Sequence, residues 1–392
     1  MNKPSSVRAA VCYGPGKVGV ETFPYPEVPE GGAIMKSIQS GICGTDKHTY
    51  NGLTKQFAGT KFEFDVPFPI IQGHEGVGII EEISKEGAKT LEFNGEELRP
   101  GDRVTFGPVR TCKKCYYCKH MAWYNLCEGK ERINYGNSIS SDVPPHLFGA
   151  FGEYMTFLKG SNLFKLPDEI DDDMACFVEP MAVTYTLDQA MSFSSFGGEG
   201  WSFGCNVVVQ GCGPIGIAHI IKARMLGANK IIVTDISDYR LQLAKEFGAD
   251  ICINSNKTTA EERIEIVLEN THGLGADIGV QCVGIPEVVP EGLEMMRKAG
   301  MYIDPGSFAD VGASQINMHR VCSKSLRIFG ASEHAITGFR PSIEMMIRHK
   351  NDFPWHKLFS HRYNIDDYDE AMKVSNTLES MKVLVSPWNY KK

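Results

Sequence analysis

The sequence predicts an α/β protein in which a doubly wound parallel sheet accompanies a separate β-rich unit. Three observations point there. After "FGGEGWSFG", short and nearly unbroken apolar runs ("NVVVQG", "KIIVTD", "ADICIN", "ADIGVQCVG", "GMYIDPGS", "LRIFGAS") alternate with helical stretches, as parallel strands covered on both faces require. The first of these runs opens into "GCGPIG", with glycines spaced as in a dinucleotide-binding turn. Ahead of them, short β-branched runs alternate with Gly and Pro turns and are interrupted by clustered cysteines.

A chain of 392 residues is long enough for two or three domains. Its apolar fraction of 42% and charged fraction of 22% allow a full core. The net charge is −8 and Lys and Arg are scattered, which argues against nucleic acid as a partner. No apolar run reaches the ~18 residues of a membrane span. The start, "MNKPSSVRAAVCYG", lacks the apolar stretch of a signal peptide, so a cytoplasmic location is expected. The twelve cysteines are too dilute for a disulfide scaffold. Cys12, Cys176, Cys205, Cys212, Cys252, Cys282 and Cys322 stand singly, mostly among apolar neighbours, and are expected to be small buried hydrophobes.

Along the chain, residues 7 to 110 read as β-rich, with "AAVCY" and "GVGIIEEI" as strands and "LRPGDRVTF" as a turn leading into one. "GAFGEYMTFL" follows the cysteine cluster. In "LPDEIDDDMACFVEPMAVTYTLDQAM", Asp171 to Asp173 suit a helix start before an apolar, helix-like segment.

In "VVVQGCGPIGIAHIIKARMLGA", Gly211 permits a tight turn and Gly213 lets the backbone approach a pyrophosphate. Gly216 allows close helix–strand packing, and the helix N-terminus attracts phosphate charge. Asp235 lies nineteen residues after Gly216, at the end of "KIIVTD", placed to accept hydrogen bonds from the adenosine ribose hydroxyls. A carboxylate there repels a 2′-phosphate, which favours NAD over NADP, although Arg240 could accommodate that phosphate. The candidate cofactor-binding residues are Gly211, Gly213, Pro214, Ile215, Gly216, Asp235 and Arg240, with Cys282, Val283 and Gly284 of "QCVG".

"CKKCYYCKHMAWYNLC" places Cys112, Cys115, Cys118 and Cys127 at C-x2-C-x2-C-x8-C spacing. Four thiolates on one short loop fit a closed, tetrahedral, structural zinc site. An iron–sulfur cluster is the alternative, but the ferredoxin run continues as C-x3-C-P and this one does not.

"SGICGTDKHTY" and "IIQGHEGVG" gather Cys43, Thr45, Asp46, His48, His74 and Glu75, which read either as a metal site or as a polar loop. Together "GICGTDKH", "GHEGVG", "PGDRV", the four-cysteine lobe, "FVEPMAV", "GCGPIG" and "VTDIS" stand in a fixed order. By that ordered set the sequence resembles the zinc-containing medium-chain alcohol dehydrogenase superfamily, most closely its polyol (sorbitol), butanediol and threonine dehydrogenase branch. The resemblance implies a GroES-like catalytic domain over 1–180 with a zinc lobe at about 108–130. It also implies a Rossmann NAD-binding domain over 181–333 and a C-terminal segment, 334–392, rejoining the first.

It implies further that Cys43, His74 and Glu179 hold a catalytic zinc and that Glu75 is a ligand that comes and goes. Thr45 would hydrogen-bond the substrate alcohol, His48 would continue a proton path to solvent, and Asp46 would orient a ligating histidine. The reaction so implied is hydride transfer from a secondary alcohol (a polyol, diol, cyclic alcohol, or hydroxy or amino acid) to NAD. Two zinc ions would bind each chain of a homodimer or homotetramer. A zinc-free quinone or enoyl reductase and a non-catalytic NAD-binding protein are the alternatives, and the ligand and relay residues argue against both.

Three departures from the family pattern stand out, one of them the extended look of "YGNSISSDVPPHLFGAFGEY". The fourth lobe cysteine follows eight residues rather than the usual seven, so that loop should bulge. Thirty residues separate Cys43 from His74, and the Phe-rich "NGLTKQFAGTKFEFDVPFPI" between them would line or cover the mouth of the active site.

Overall fold

A computed structural model describes residues 3–56, 59, 63–120, 124–191, 200–307, 309–332 and 336–388. It divides into two compact units. The first comprises Met1–Glu179, Ala335–Lys350 and Leu358–Lys392, and the second Pro180–His334 and Asn351–Lys357.

The first unit is built on a seven-stranded sheet. Its main path runs Asn162–Lys165, Arg103–Gly107, Glu75–Ile83, Ala33–Gly41, Lys382–Ser386, Phe359–Asn364, and Tyr154–Phe157 also pairs with Ala33–Gly41. All pairs are antiparallel except Lys382–Ser386 with Phe359–Asn364. Gly41 lies opposite both Glu75 and Leu384, so three strands meet there. A Cβ on Gly41 would collide with the Glu75 carboxylate and lie 2.9 Å from Lys382 Cδ, so only glycine leaves room for those two side chains. One core layer gathers Phe106, Tyr135 and Phe157. Another packs Tyr368, Ala371 and Met372 of the helix Tyr368–Ser375 against Phe151, Val383 and Val385.

The second unit is a six-stranded parallel sheet in the order Ile251–Asn254, Lys230–Asp235, Asn206–Gln210, Ala276–Gln281, Met296–Asp304, Arg327–Gly330. In chain order this is 3-2-1-4-5-6, the doubly wound arrangement, and the winding reverses between Asn206–Gln210 and Ala276–Gln281. Val207, Val208 and Val209 of the central strand are wholly buried, which is why that run shows no apolar–polar alternation. Asn351–Lys357 joins this unit because Phe353 stacks on Phe247 and Lys357 pairs with Glu246.

Two details differ from the sequence reading. The apolar segment after Asp171 is three short helices, Asp172–Ala175, Val178–Val183 and Tyr185–Met191, rather than one. Asp171 caps the first by accepting from Met174 N, and Pro180 lacks the N–H that a continuous helix would need. Cys322 is exposed rather than buried, because the helix Met318–Ser323 buries none of its residues. The loop expected to bulge, 121–123, lies outside the described residues, as do 57–58 and 60–62 of the Phe-rich stretch. The flanks of that stretch form a short hairpin, Lys55–Gln56 with Phe64–Asp65. Among the described residues no helix is long and apolar enough to cross a membrane.

Candidate functional site

Cys43 is the N-cap of the helix Gly44–Tyr50, which sets Thr45, Asp46 and His48 on its first turns. Asp46 is wholly buried and folds back on the cap: Cys43 N donates to Asp46 Oδ2 at 2.9 Å. Its other oxygen accepts from Gly73 N at 3.4 Å and lies 3.7 Å from His74 Nδ1. One carboxylate therefore ties the backbones of Cys43 and Gly73 together and sets its negative charge beside the His74 ring, without a hydrogen bond to it. Thr45 is buried with its hydroxyl 3.8 Å from Cys43 Sγ, whereas His48 is half-buried.

Glu75 starts the strand that follows His74 and is buried, as is Glu179 on the helix Val178–Val183. Glu75 Oε2 pairs with Lys382 Nζ, which also donates to Ile42 O at 3.2 Å. Glu75 Oε1 and His74 Nδ1 have no hydrogen-bond partner although both are buried.

The electrostatics show that these groups feel one another. Burial, then Glu75, push the Cys43 thiol up to about 12. Burial, reinforced by Cys43 and Glu75, pushes Glu179 well above the usual carboxylate range. Burial would lower His74, but the carboxylates of Asp46, Glu179 and Glu75 outweigh it and raise the imidazole. Several potential anions thus stand in one buried neighbourhood beside the Lys382 cation, a setting that favours a bound dication. The donor set of thiol, imidazole and carboxylate suits zinc. Its ligand atoms stand further apart than those of the lobe. Among the described residues, only Cys112, Cys115, Cys118 and Cys127 bring three or more such atoms within 4.8 Å of one another.

In that lobe Cys115 Sγ and Cys118 Sγ are 3.4 Å apart, and Cys112 Sγ and Cys118 Sγ 4.0 Å. A tetrahedral zinc with Zn–S near 2.3 Å sets its sulfurs about 3.8 Å apart, so the four thiols fit. Lys113 takes φ 56° to turn the chain between the first two cysteines. A Cβ on Gly129 would collide with Cys112 Sγ. Although burial opposes it, backbone N–H groups of Cys118 and Glu128 hold the Cys115 thiol down to about 6. Burial, then Cys115, push Cys118 up to about 12, the penalty of a second thiolate that a dication removes.

In the second unit, Gly211 has φ +90°, and a Cβ on Gly216 would strike Gly211 O. A Cβ on Gly213 would meet nothing within 4 Å, so the turn is open on that side. Pro214 and Ile215 begin the helix Pro214–Met225. Asp235 Oδ2 accepts from Cys212 N at 2.7 Å and Oδ1 from Ser237 N at 2.8 Å. Each oxygen keeps a further lone pair. Arg240 lies close enough to act on the Cys212 thiol. Cys282 N donates to Gln210 O at 2.7 Å, and a Cβ on Gly211 would lie 2.9 Å from Val283 Cγ2. The glycine turn and the 282–284 loop therefore meet where the sheet's winding reverses, the usual ligand crevice of such sheets. Gln281 shapes that loop, its Oε1 accepting from Val283 N at 2.6 Å and Gly284 N at 2.8 Å.

The sequence reading missed Lys382, Gln72, Tyr368 and Gln281. A lysine inside the apolar run "MKVLVS" was the available signal for the first; the others carry none.

Comparison with known proteins adds the following. A family described as "Alcohol dehydrogenase GroES-like domain" matches residues 29–168, and one described as "Zinc-binding dehydrogenase" matches 214–348. A sorbitol dehydrogenase of Halalkalibacterium halodurans is 30% identical over 96% of this chain and 97% of its own length. A 5-exo-hydroxycamphor dehydrogenase of Pseudomonas putida is 27% identical over 94% of this chain and 95% of its own. The crystal structure of an alcohol dehydrogenase from Thermotoga maritima superposes with a TM-score of 0.85 at 27% identity, covering 98% of this chain and all of that one.

Proposed function

The chain belongs to the zinc-containing medium-chain alcohol dehydrogenase superfamily, and on that premise we propose that it oxidises a secondary alcohol with NAD as acceptor. It is an alcohol dehydrogenase of the zinc-dependent, nicotinamide-linked kind. In our reading Cys43, His74 and Glu179 hold the catalytic zinc, Glu75 is an exchangeable further ligand, and the four-cysteine lobe holds a structural zinc. The observation that carries the assignment is the buried Asp46 carboxylate, hydrogen-bonded to Cys43 N and facing the His74 ring at 3.7 Å, in a chain that also buries Glu75 and Glu179.

The bound zinc would acidify the alcohol hydroxyl and the dinucleotide would accept the hydride. The chain's own residues do the rest. Asp46 orients the Cys43 cap and the His74 ring. Thr45, buried beside Cys43 Sγ, would accept the alcohol's hydrogen bond and relay the proton by giving up its own hydroxyl proton in the direction of His48. His48, three residues on and half-exposed, passes it towards solvent. Asp235 supports NAD over NADP, because a 2′-phosphate would meet its negative charge, and Arg240 is the residue that would soften that preference.

The relatives named for sorbitol and for hydroxycamphor support a polyol or cyclic alcohol as substrate. The same reading assigns 1–180 with 334–392 to the catalytic domain and 181–333 to the NAD-binding domain, in a homodimer or homotetramer. The test is metal analysis with NAD and NADP reduction assayed across polyols, diols, cyclic alcohols, and hydroxy and amino acids. About two zinc ions per chain are expected, one for each site. A zinc-replete chain that reduces neither dinucleotide with any of them, or one that turns over fully without metal, would overturn the reading.

A further inference from the structure

Behind Asp46 lies a second tier of buried polar groups that the reaction itself does not use. Gln72, wholly buried two residues before His74, donates from Nε2 to Asp46 O at 3.2 Å and approaches Asp46 Oδ1 at 3.5 Å. Its Oε1 accepts from Tyr368 OH at 2.7 Å. Tyr368 is itself buried, on the C-terminal helix Tyr368–Ser375, with its ring 5.2 Å from that of Phe151.

A buried glutamine with both ends engaged has one sensible orientation. Asp46 O and Oδ1 are acceptors, so they demand the NH2 end; the tyrosine hydroxyl then donates to the carbonyl end. Turned over, the amide would set its oxygen against two other oxygens. The Asp46 acceptors therefore fix the sense of the Gln72 amide and Tyr368 holds its far end, while the amide anchors Asp46 at its main chain and supports its carboxylate. Asp46 needs such support, since a buried carboxylate costs several kcal/mol unless it is hydrogen-bonded. Its remaining donors are Cys43 N and Gly73 N, both in the expected ligand loops, and its Oδ1 faces His74 Nδ1 at 3.7 Å.

We infer that Gln72 and Tyr368 are positioning residues of the metal centre, acting through Asp46 to hold the Cys43 cap and the His74 ring in a single arrangement ready for the ion. This rests on the assignment of Cys43 and His74 as ligands made above. It gives the C-terminal segment a part in metal retention from a place that touches neither metal ligand.

The test follows zinc leaving the full zinc-loaded chain for excess 4-(2-pyridylazo)resorcinol. Release should occur in two phases. The phase abolished by Cys43→Ser is that of the catalytic centre, and the lobe phase is an internal reference. Outer residues of metal sites typically contribute on the order of 10–100-fold in affinity. Gln72→Leu, close in size and without polar ends, should therefore speed the catalytic phase by roughly 10-fold and leave the lobe phase unchanged. Tyr368→Phe keeps the ring against Phe151 and should speed the same phase by a smaller factor. Combined, the two should release zinc no faster than Gln72→Leu alone, because the hydroxyl acts only through the amide.

A catalytic phase unchanged in both single variants would overturn the inference. So would equal acceleration of both phases, which marks general loosening, or effects that multiply in the double variant. If Gln72→Leu does not fold, Tyr368→Phe decides alone. A wild-type chain with no phase that depends on Cys43 would instead defeat the ligand assignment, so the two failures are distinguishable.

Discussion

Lys382 and Glu75 form an ion pair buried from solvent on both sides, joining the last strand of the chain to the first residue of the strand after His74. Burial alone would lower the lysine, but Glu75 and then Cys43 more than offset it and raise it. The cation is thus held charged against the anionic groups of the candidate zinc centre.

Removing one partner of such a pair leaves the other charged and buried, which costs roughly 3–5 kcal/mol. Lys382→Met should lower stability by about that much in urea denaturation. The double variant Lys382→Met, Glu75→Gln should recover part of the loss. A double variant no more stable than the single one would show that the pair is not the reason.

The lobe should lose its zinc and its order together. Cys115→Ser removes a ligand, and Gly129→Ala drives a methyl into Cys112 Sγ. Both variants should retain about one zinc per chain and melt lower, while Cys43 and His74 are untouched. Wild-type zinc content and melting in Cys115→Ser would rule out the structural site.

For the cofactor, Asp235→Ala removes the acceptor of Cys212 N and Ser237 N as well as the group placed for the ribose. The KM for NAD should rise and the preference over NADP should shrink. An unchanged ratio of kcat/KM for the two dinucleotides would move the determinant to Arg240 or a neighbour.

The proton path makes a graded prediction. Thr45→Ala should keep both zinc ions yet lose on the order of 10²–10⁴ in turnover. His48→Gln sits at the solvent end, where water substitutes, and should lose less. Burial, then Lys47, hold the His48 imidazole below its ordinary value, so it stays neutral and able to accept a proton at mildly acidic pH. The His48→Gln deficit should therefore widen as pH falls from neutral and close again once His48 itself is protonated. A His48 variant slower than Thr45→Ala at every pH, with zinc retained in both, would overturn this relay.

Much of this was legible in the chain because it is local. The glycine turn, the four-cysteine loop and the cap motif at Cys43 each bring their groups together within a few residues, so spacing reports geometry directly. The central parallel strands could be read because burial on both faces leaves nearly unbroken apolar runs such as Val207, Val208 and Val209. The short helices after Asp171 misled because apolar content does not register where Pro180 interrupts the hydrogen-bond ladder. Cys322 misled because neighbouring residues do not report whether a helix buries any face at all.

By itself, then, the sequence determined the family and the two kinds of unit, and it singled out the thiols, imidazoles and carboxylates proposed to bind metal and nucleotide. Only the tertiary structure decided what surrounds them. Strand pairing through Gly41 delivers Lys382 to Glu75 across 307 residues of chain, and packing against Phe151 delivers Tyr368 to Gln72 across 296. Such contacts are selected by the burial of polar groups that must find partners, a condition set by the whole core and not by any stretch of sequence.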